Sequence, residues 1–517
     1  MPRSHFTLTA LLLAAACSNG SGGGAPATVS PTVVAQYPAP SSVAESTSEV
    51  RVTFAEALDP ASITIDSVQV VDDLGPIEGT ATYDSATQTI RWTSRFGLTL
   101  SASHEATLLG NVRDLAGTEL GGDLQWQFRV RNGIWSAPEP LVVQGIQMER
   151  SGTTWLNMGG LGYLSGTPGN WTPQALPFEG DLVIGPDDTM TVVSHRLVPY
   201  GPPPTGGIFS LIIETATRRS TEQDWLTEQI LNEMCRQATV WVTKTSFGDP
   251  VVNYFYWLDG WIHHYGLATR LHTDTGTAWH VGGSGGAPYE SERIGPAGQT
   301  PYMNSTTGNG NYDEIFWGSG TAVTRIVLSP PIERGHILFL NWDPAGRMLF
   351  VQRETPSPGM NQITSRRIHP DGTVEAATVL HAHSEPQSAK IVTSNSGHTM
   401  SFIYAGAVSN EGSSYLVHRF DPDSGTWSSL PPLFTNSGNV NQPELGSIVA
   451  DTRGTFWILS PERTATGIPV LIVNRLRPQD SQMSLMLSAE WYELKAFDVD
   501  DTGRAMMSVN AGLMSFR

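Results

Sequence analysis

The residues best suited to chemistry in this 517-residue chain lie in the run YFYWLDGWIHHY at 254–265, with six aromatics and two histidines in twelve positions. Aromatic faces bind sugar rings, and His263 or His264 beside Trp261 would donate hydrogen bonds to such a ligand. The same run also fits two adjacent strands filling a sheet, the commoner use of such residues. His381 and His383, followed by Glu385, set two imidazoles on one side of a strand. Without a third well-placed ligand they point to no metal. Asp421 and Asp423 before Gly425 lack the later acidic ligands of a calcium loop and read as a turn. Cys17 and Cys235 are the only cysteines, which excludes a disulfide scaffold and a four-thiolate cluster. Cys235 reads as a small buried apolar residue. No motif pairs a nucleophile with a base, so no catalytic residue and no cofactor is expected.

The elements that must position these residues are β-strands. Over 31–131, EVRVTF puts Val50, Val52 and Phe54 on one face, TIRWTS does so with Ile90 and Trp92, and LQWQFRVR with Leu124, Trp126, Phe128 and Val130. Strict alternation in many short segments predicts an antiparallel sandwich. From 132 to 517 a longer rhythm appears, in which an acidic or polar residue precedes a turn glycine at Gly346, Gly397, Gly454 and Gly503. RRIHPDG, HRFDPDSG and NRLRPQD recur in the same phase. A period of about 50 residues carrying four strands predicts a seven- or eight-bladed β-propeller, and eight units fit the count. In the seventh unit LGSIVAD, TFWILS, PVLIVNRL and MSLMLS are the four strands in order. The last unit has three, LKAFDVD, RAMMSVN and LMSFR, and the segment 134–142 is expected to supply its missing edge. At 220–236 helix and strand signals compete, and the repeat phase favours strands.

Three resemblances accompany this all-β reading. The opening MPRSHFTLTALLLAAAC resembles a bacterial lipoprotein signal, with Ala14 where that family prefers leucine. The resemblance implies a signal peptide over 1–16, acylation of Cys17 and a flexible anchored linker over 17–30. Ser18 after the cysteine implies the outer membrane or cell surface, with the lipid membrane as a partner. Residues 31–131 resemble the bacterial Ig-like domains first seen in S-layer proteins, through YPAPSSVAESTSEVRVTFAEALDPASI, TATYDSATQTIRW and VRDLAGTEL. Such modules usually act as spacers or display units. HRFDPDSGTWSSLPPL resembles half of a kelch repeat, although Ala405 and Gly406 stand where that family has a double glycine. HTDTGTAW and ADTRGTFW faintly resemble the Asp-box turns of sialidases, which are structural turns and imply nothing about catalysis.

A formal net charge of −19 argues against a nucleic-acid partner. In an up-and-down repeat, tight turns gather at one end of the sheets and the longer connections at the other. The longer set comprises 199–207, 282–311, 354–360, 406–414 and 435–444. A ligand site is therefore expected on the long-connection side, formed by Trp261, His263, His264, Tyr289, Tyr302, Asn304, Asn309 and Tyr312. Two functions fit: a non-catalytic surface protein binding a glycan, peptide or envelope partner, or an extracellular propeller enzyme acting on glycans in the manner of a glycoside hydrolase or sialidase.

Overall fold

The computed structural model describes residues 30–517 except 160–161, 186–187, 201–207, 220–223, 245–249, 258–262, 274–275, 285–299, 305–310, 320–321, 334–335, 384–388, 410–411, 436–446, 464–467 and 491–493. Among these the chain is all-β, with a single 3-10 turn at Pro60–Ser62 in the N-terminal part. No described helix is long and apolar enough to cross a membrane.

The N-terminal part forms two sheets. One has the order Val33–Tyr37, Val50–Phe54, Thr89–Ser94, Gly79–Asp84. The other runs Val43–Ala44, Leu124–Val130, Ser103–Leu108, Val68–Asp72, Gly75–Pro76. Val50, Val52, Phe54, Ile90, Trp92, Trp126, Phe128 and Val130 are all buried between them, as the alternation requires.

Eight further sheets follow, each an antiparallel meander in chain order. The first comprises Gly145–Met148, Thr154–Asn157, Tyr163–Thr167 and Asn170–Gln174, and the second Asp181–Ile184, Met190–Pro199, Phe209–Arg218 and Leu226–Cys235. The third holds Gln237–Lys244, Pro250–Trp257, His263–Thr273 and Gly276–Ser284, and the fourth Thr300–Asn304, Asn311–Ser319 and Ala322–Glu333. The fifth and sixth start at His336–Trp342 and Ala389–Thr393. The seventh is Ile448–Ala450, Phe456–Arg463, Pro469–Leu476 and Ser484–Glu490, the order expected from the repeat. The eighth has Leu494–Val499, Ala505–Val509 and Gly512–Phe516. Leu226–Cys235 is a strand, so the repeat phase prevails over the helix signal there.

No strand ladder closes the described sheets into one barrel; they meet through side chains. Trp155 and Tyr163 of the first pack on Leu182, Ile184 and Val192 of the second, and Val193, Leu211 and Ile213 of the second pack on Val252 and Tyr254 of the third. Similar cores join the fourth to the fifth, the fifth to the sixth, and the sixth to the seventh. Ile146 and Leu156 of the first sheet also pack on Met506 and Leu513 of the eighth, so the two ends of the series are neighbours. The segment 134–142 lies along the last strand. Ile134 and Ser136 N–H donate to the carbonyls of Arg517 and Ser515, while Glu139 and Leu513 exchange two bonds of 2.8 and 2.9 Å. Gly512, at φ 138°, must be glycine here, because a Cβ would lie 1.9 Å from the Glu139 carbonyl oxygen.

The tight turns share one construction. The N–H groups of Asp343, Asp451 and Asp500 donate to the carbonyls of Arg347, Thr455 and Arg504. The glycine between them, Gly346, Gly454 or Gly503, sits at positive φ and returns its N–H to the aspartate carbonyl. Each aspartate Oδ1 accepts a further backbone N–H. Ser394 replaces the aspartate in the sixth sheet.

One expectation is corrected: 354–357, 360, 406–409 and 412–414 are strand rather than open loop. Met348–Ser357 pairs with Met360–Ile368 as far as Ser357 with Met360, and Thr399–Ser409 pairs with Gly412–Asp421 as far as Ser409 with Gly412. These polar stretches have no apolar alternation, and backbone pairing alone extends them. The core of the Ig-like module is continuous with Trp457, Leu459, Val473, Val499, Met507 and Phe516 of the last two sheets.

Candidate functional site

The Ig-like module docks on the tight-turn ends. Leu100 N–H donates to the Thr502 carbonyl at 2.8 Å, and Arg477 donates through Nη1 and Nη2 to the carbonyls of Ser101 and Leu100. Arg453 forms a forked pair with Asp72 and also donates to Thr99 Oγ1 at 3.0 Å. Burial alone would raise the Asp72 pKa, but the bonds and charge of Arg453, with Thr99 and the Leu74 N–H, hold it below its ordinary value. Arg150 lies over the Phe96 ring, 4.4 Å from its centroid, and pairs with Asp501 at 2.7 Å. The module therefore covers part of the tight-turn side and leaves the opposite ends of the strands uncovered by it.

At those opposite ends, between the first and second sheets, lies a cleft of about 870 Å³. Thr154–Asn157 delivers Asn157, Tyr163–Thr167 delivers Tyr163, and Met190–Pro199 delivers the exposed His195. Tyr163 anchors the wall: its hydroxyl donates to the Gly180 carbonyl at 2.8 Å and accepts from Leu182 N–H at 3.1 Å and from Asn157 Nδ2 at 3.2 Å. Burial pushes its phenol pKa up, so it stays a neutral donor. Gln174, Leu176, Phe178 and Asp181 are among the other lining residues. Amide, carboxylate and imidazole groups around an apolar patch match the alternating faces of a hydrated ring.

A second, smaller cleft of about 480 Å³ opens at the module seam, lined by Arg129, Arg475 and Arg477 with Asp73 and Asp480. Arg475 stands on Pro469–Leu476, opposite Trp457 on one neighbouring strand and Ser484 on the other. It is 6% exposed, its Nε and Nη1 have no hydrogen-bond partner, and its guanidinium carbon lies 5.8 Å from the Trp457 ring centroid. Burial first, then the charge of Arg477, lowers its pKa to about 10.

Trp261, Tyr289 and Asn309 lie outside the described residues. His263 and His264 begin the strand His263–Thr273, with backbone partners Trp257 and Tyr256. Tyr302 and Asn304 belong to Thr300–Asn304, a strand inside the expected loop, and pair with Phe316 and Glu314. Tyr312 opens Asn311–Ser319 and packs half-buried against the core of Ile315, Leu328 and Ile332. Cys235 is fully buried, and desolvation raises its thiol pKa. His381 and His383 stack at 4.9 Å, and no group of three or more His, Cys, Asp or Glu among the described residues is placed to hold a metal. Asp421 accepts from Asp423 N–H and the Ser424 hydroxyl, as a turn residue does. No sequence signal marks the wide cleft, because its polar residues come from five strands and their connections.

Residues 27–130 match the bacterial Ig-like domain family. No curated protein matches the chain in sequence. Among solved structures, the N-terminal part of the bacterial S-layer protein SbsC is similar at 13% identity, over 40% of this chain and 43% of that one, with a TM-score of 0.17. A puromycin hydrolase is similar at 13% identity over 64% and 50% of the two chains, with a TM-score of 0.29. An ulvan lyase is similar at 9% identity over 74% and 93%, with a TM-score of 0.32. The chain thus spans half or less of the first two of these structures, and at such scores none of the three bears on fold or function.

Proposed function

We propose that the eight sheets are blades of one β-propeller, and that the chain is a lipid-anchored, non-catalytic surface protein binding a glycan at the long-connection side. The packing of the first sheet on the eighth and the pairing of 134–142 with the last strand support the ring. The observation that carries the binding reading is the cleft of about 870 Å³ at the strand ends remote from the Ig-like module. The tyrosines and histidines of 254–312 would extend the same side, with Tyr289 and Trp261 as further stacking faces. Export and acylation at Cys17, with delivery to the outer membrane or cell surface, rest on the signal-like opening and agree with a bacterial Ig-like domain.

A glycan array probed with the purified protein tests the reading. Gln174→Ala with His195→Ala should lower the affinity for any retained glycan by about tenfold or more, the loss of two hydrogen bonds, without changing the unfolding midpoint. Unchanged binding in that variant, or release of a cleaved sugar by the parent protein, would replace this reading with another. Cys17→Ser should leave the protein out of the membrane fraction.

A further inference from the structure

We propose that the seam cleft between the Ig-like module and the seventh sheet is an oxyanion site, in which Arg475 receives the carboxylate or sulfate group of a small acidic ligand. A buried guanidinium ordinarily meets a carboxylate or several carbonyls, because leaving its donors unspent costs more than making the bonds returns. Arg475 breaks that rule, with Nε and Nη1 both buried and unspent.

Its neighbours are already engaged. Arg477 spends Nη1 and Nη2 on the Ser101 and Leu100 carbonyls. Asp480 accepts the Arg477 N–H at 3.0 Å, and Asp73 accepts from Gln479 Nε2 at 3.3 Å. Neither carboxylate is hydrogen-bonded to Arg475, and the cleft holds three arginines against two aspartates. In a chain of net charge −19 this local positive excess is a focused attraction for an anion. The volume of about 480 Å³ admits a sugar-sized acid, and the charged guanidinium offers N–H donors to the oxygens of such a group.

The test is thermal unfolding of the full chain at fixed ionic strength with glucuronate, inorganic sulfate, glucose or sodium chloride added. Glucuronate, sulfate or both should raise the midpoint saturably, while glucose and chloride should not; the stronger of the two identifies the favoured group. Arg475→Met should weaken the apparent affinity by about tenfold or more. Ser484→Glu, which sets a carboxylate on the strand position facing Arg475, should remove the response in a chain that keeps the arginine. A parent protein that responds to neither anion overturns the proposal. So does an equal response in parent and either folded variant, which would mark general salt stabilisation.

Discussion

Arg453 and Arg475 stand on the same sheet, both face the Ig-like module, and differ in one respect. Arg453 meets Asp72, whose side chain is fully buried, while Nε and Nη1 of Arg475 bond to no carboxylate, and Asp480 and Asp451 act on it only through their charge. The first arrangement is a fastening, in which two desolvated charges compensate each other and fix the module on the tight turns. The second leaves buried donors of a desolvated charge without a bonded partner beside an open cleft. Burial of a charged group is therefore uninformative until its partner is named.

The largest effect expected from this contrast is at Asp72. Asp72→Ala strands Arg453 in the seam and should cost about 3–5 kcal/mol in urea unfolding. The folded pKa of Asp72 is depressed, so its contribution is present above its ordinary value of 3.8 and is lost as pH falls through the folded value. The acid limb of the stability profile should accordingly flatten in the variant. Asp451, one turn residue away from Arg453, sharpens the comparison from the other sign. Fully buried and close to the charge of Asp501, it is raised from 3.8 to about 7. Its carboxyl then favours the fold most below pH 3.8, and that contribution is lost as pH rises through about 7. Asp451→Asn keeps an oxygen for the Arg453 and Thr455 N–H groups and should stabilise the protein at pH 8 by roughly 2–4 kcal/mol, with little change at pH 4. Melting curves at the two pH values read both limbs. The smallest effect belongs to Arg475→Met, which should leave stability within about 1 kcal/mol of the parent, or raise it, because no protein bond is lost. A loss comparable to that of Asp72→Ala would abolish the distinction between the two arginines.

What the sequence made legible follows the same division. Val50, Val52, Phe54, Ile90 and Trp92 alternate because one face of each strand is buried, so the sandwich could be read directly. The seventh sheet and the closing segment were readable from the repeat, since Asp451 and Gly454 mark a turn by residue type. The hairpin extensions at 354–360 and 406–414 were not, because backbone pairing between polar residues leaves no periodic mark. Nor was the seam: it is held by carbonyls of Leu100, Ser101 and Thr502 and by arginines from three separate turns and strands, which share no spacing in the chain. The lining of the wide cleft was hidden for the same reason, as Asn157, Gln174 and His195 are ordinary surface residues until the fold assembles them.

The pairing of 134–142 with Gly512–Phe516 has a consequence for how the molecule is made. The Ig-like module and its following segment emerge early, yet the strands that receive them, Leu494–Val499 through Gly512–Phe516, emerge only after the seven intervening sheets. Until then the module must hold its own fold with the Leu98 and Leu100 loop uncovered, and the first sheet must wait with its Ile146 face unpacked. A chain interrupted before residue 494 would keep most of its sheets and still expose both surfaces at once. Arrival of Gly512–Phe516, rather than the folding of any single earlier sheet, is the event that covers both surfaces.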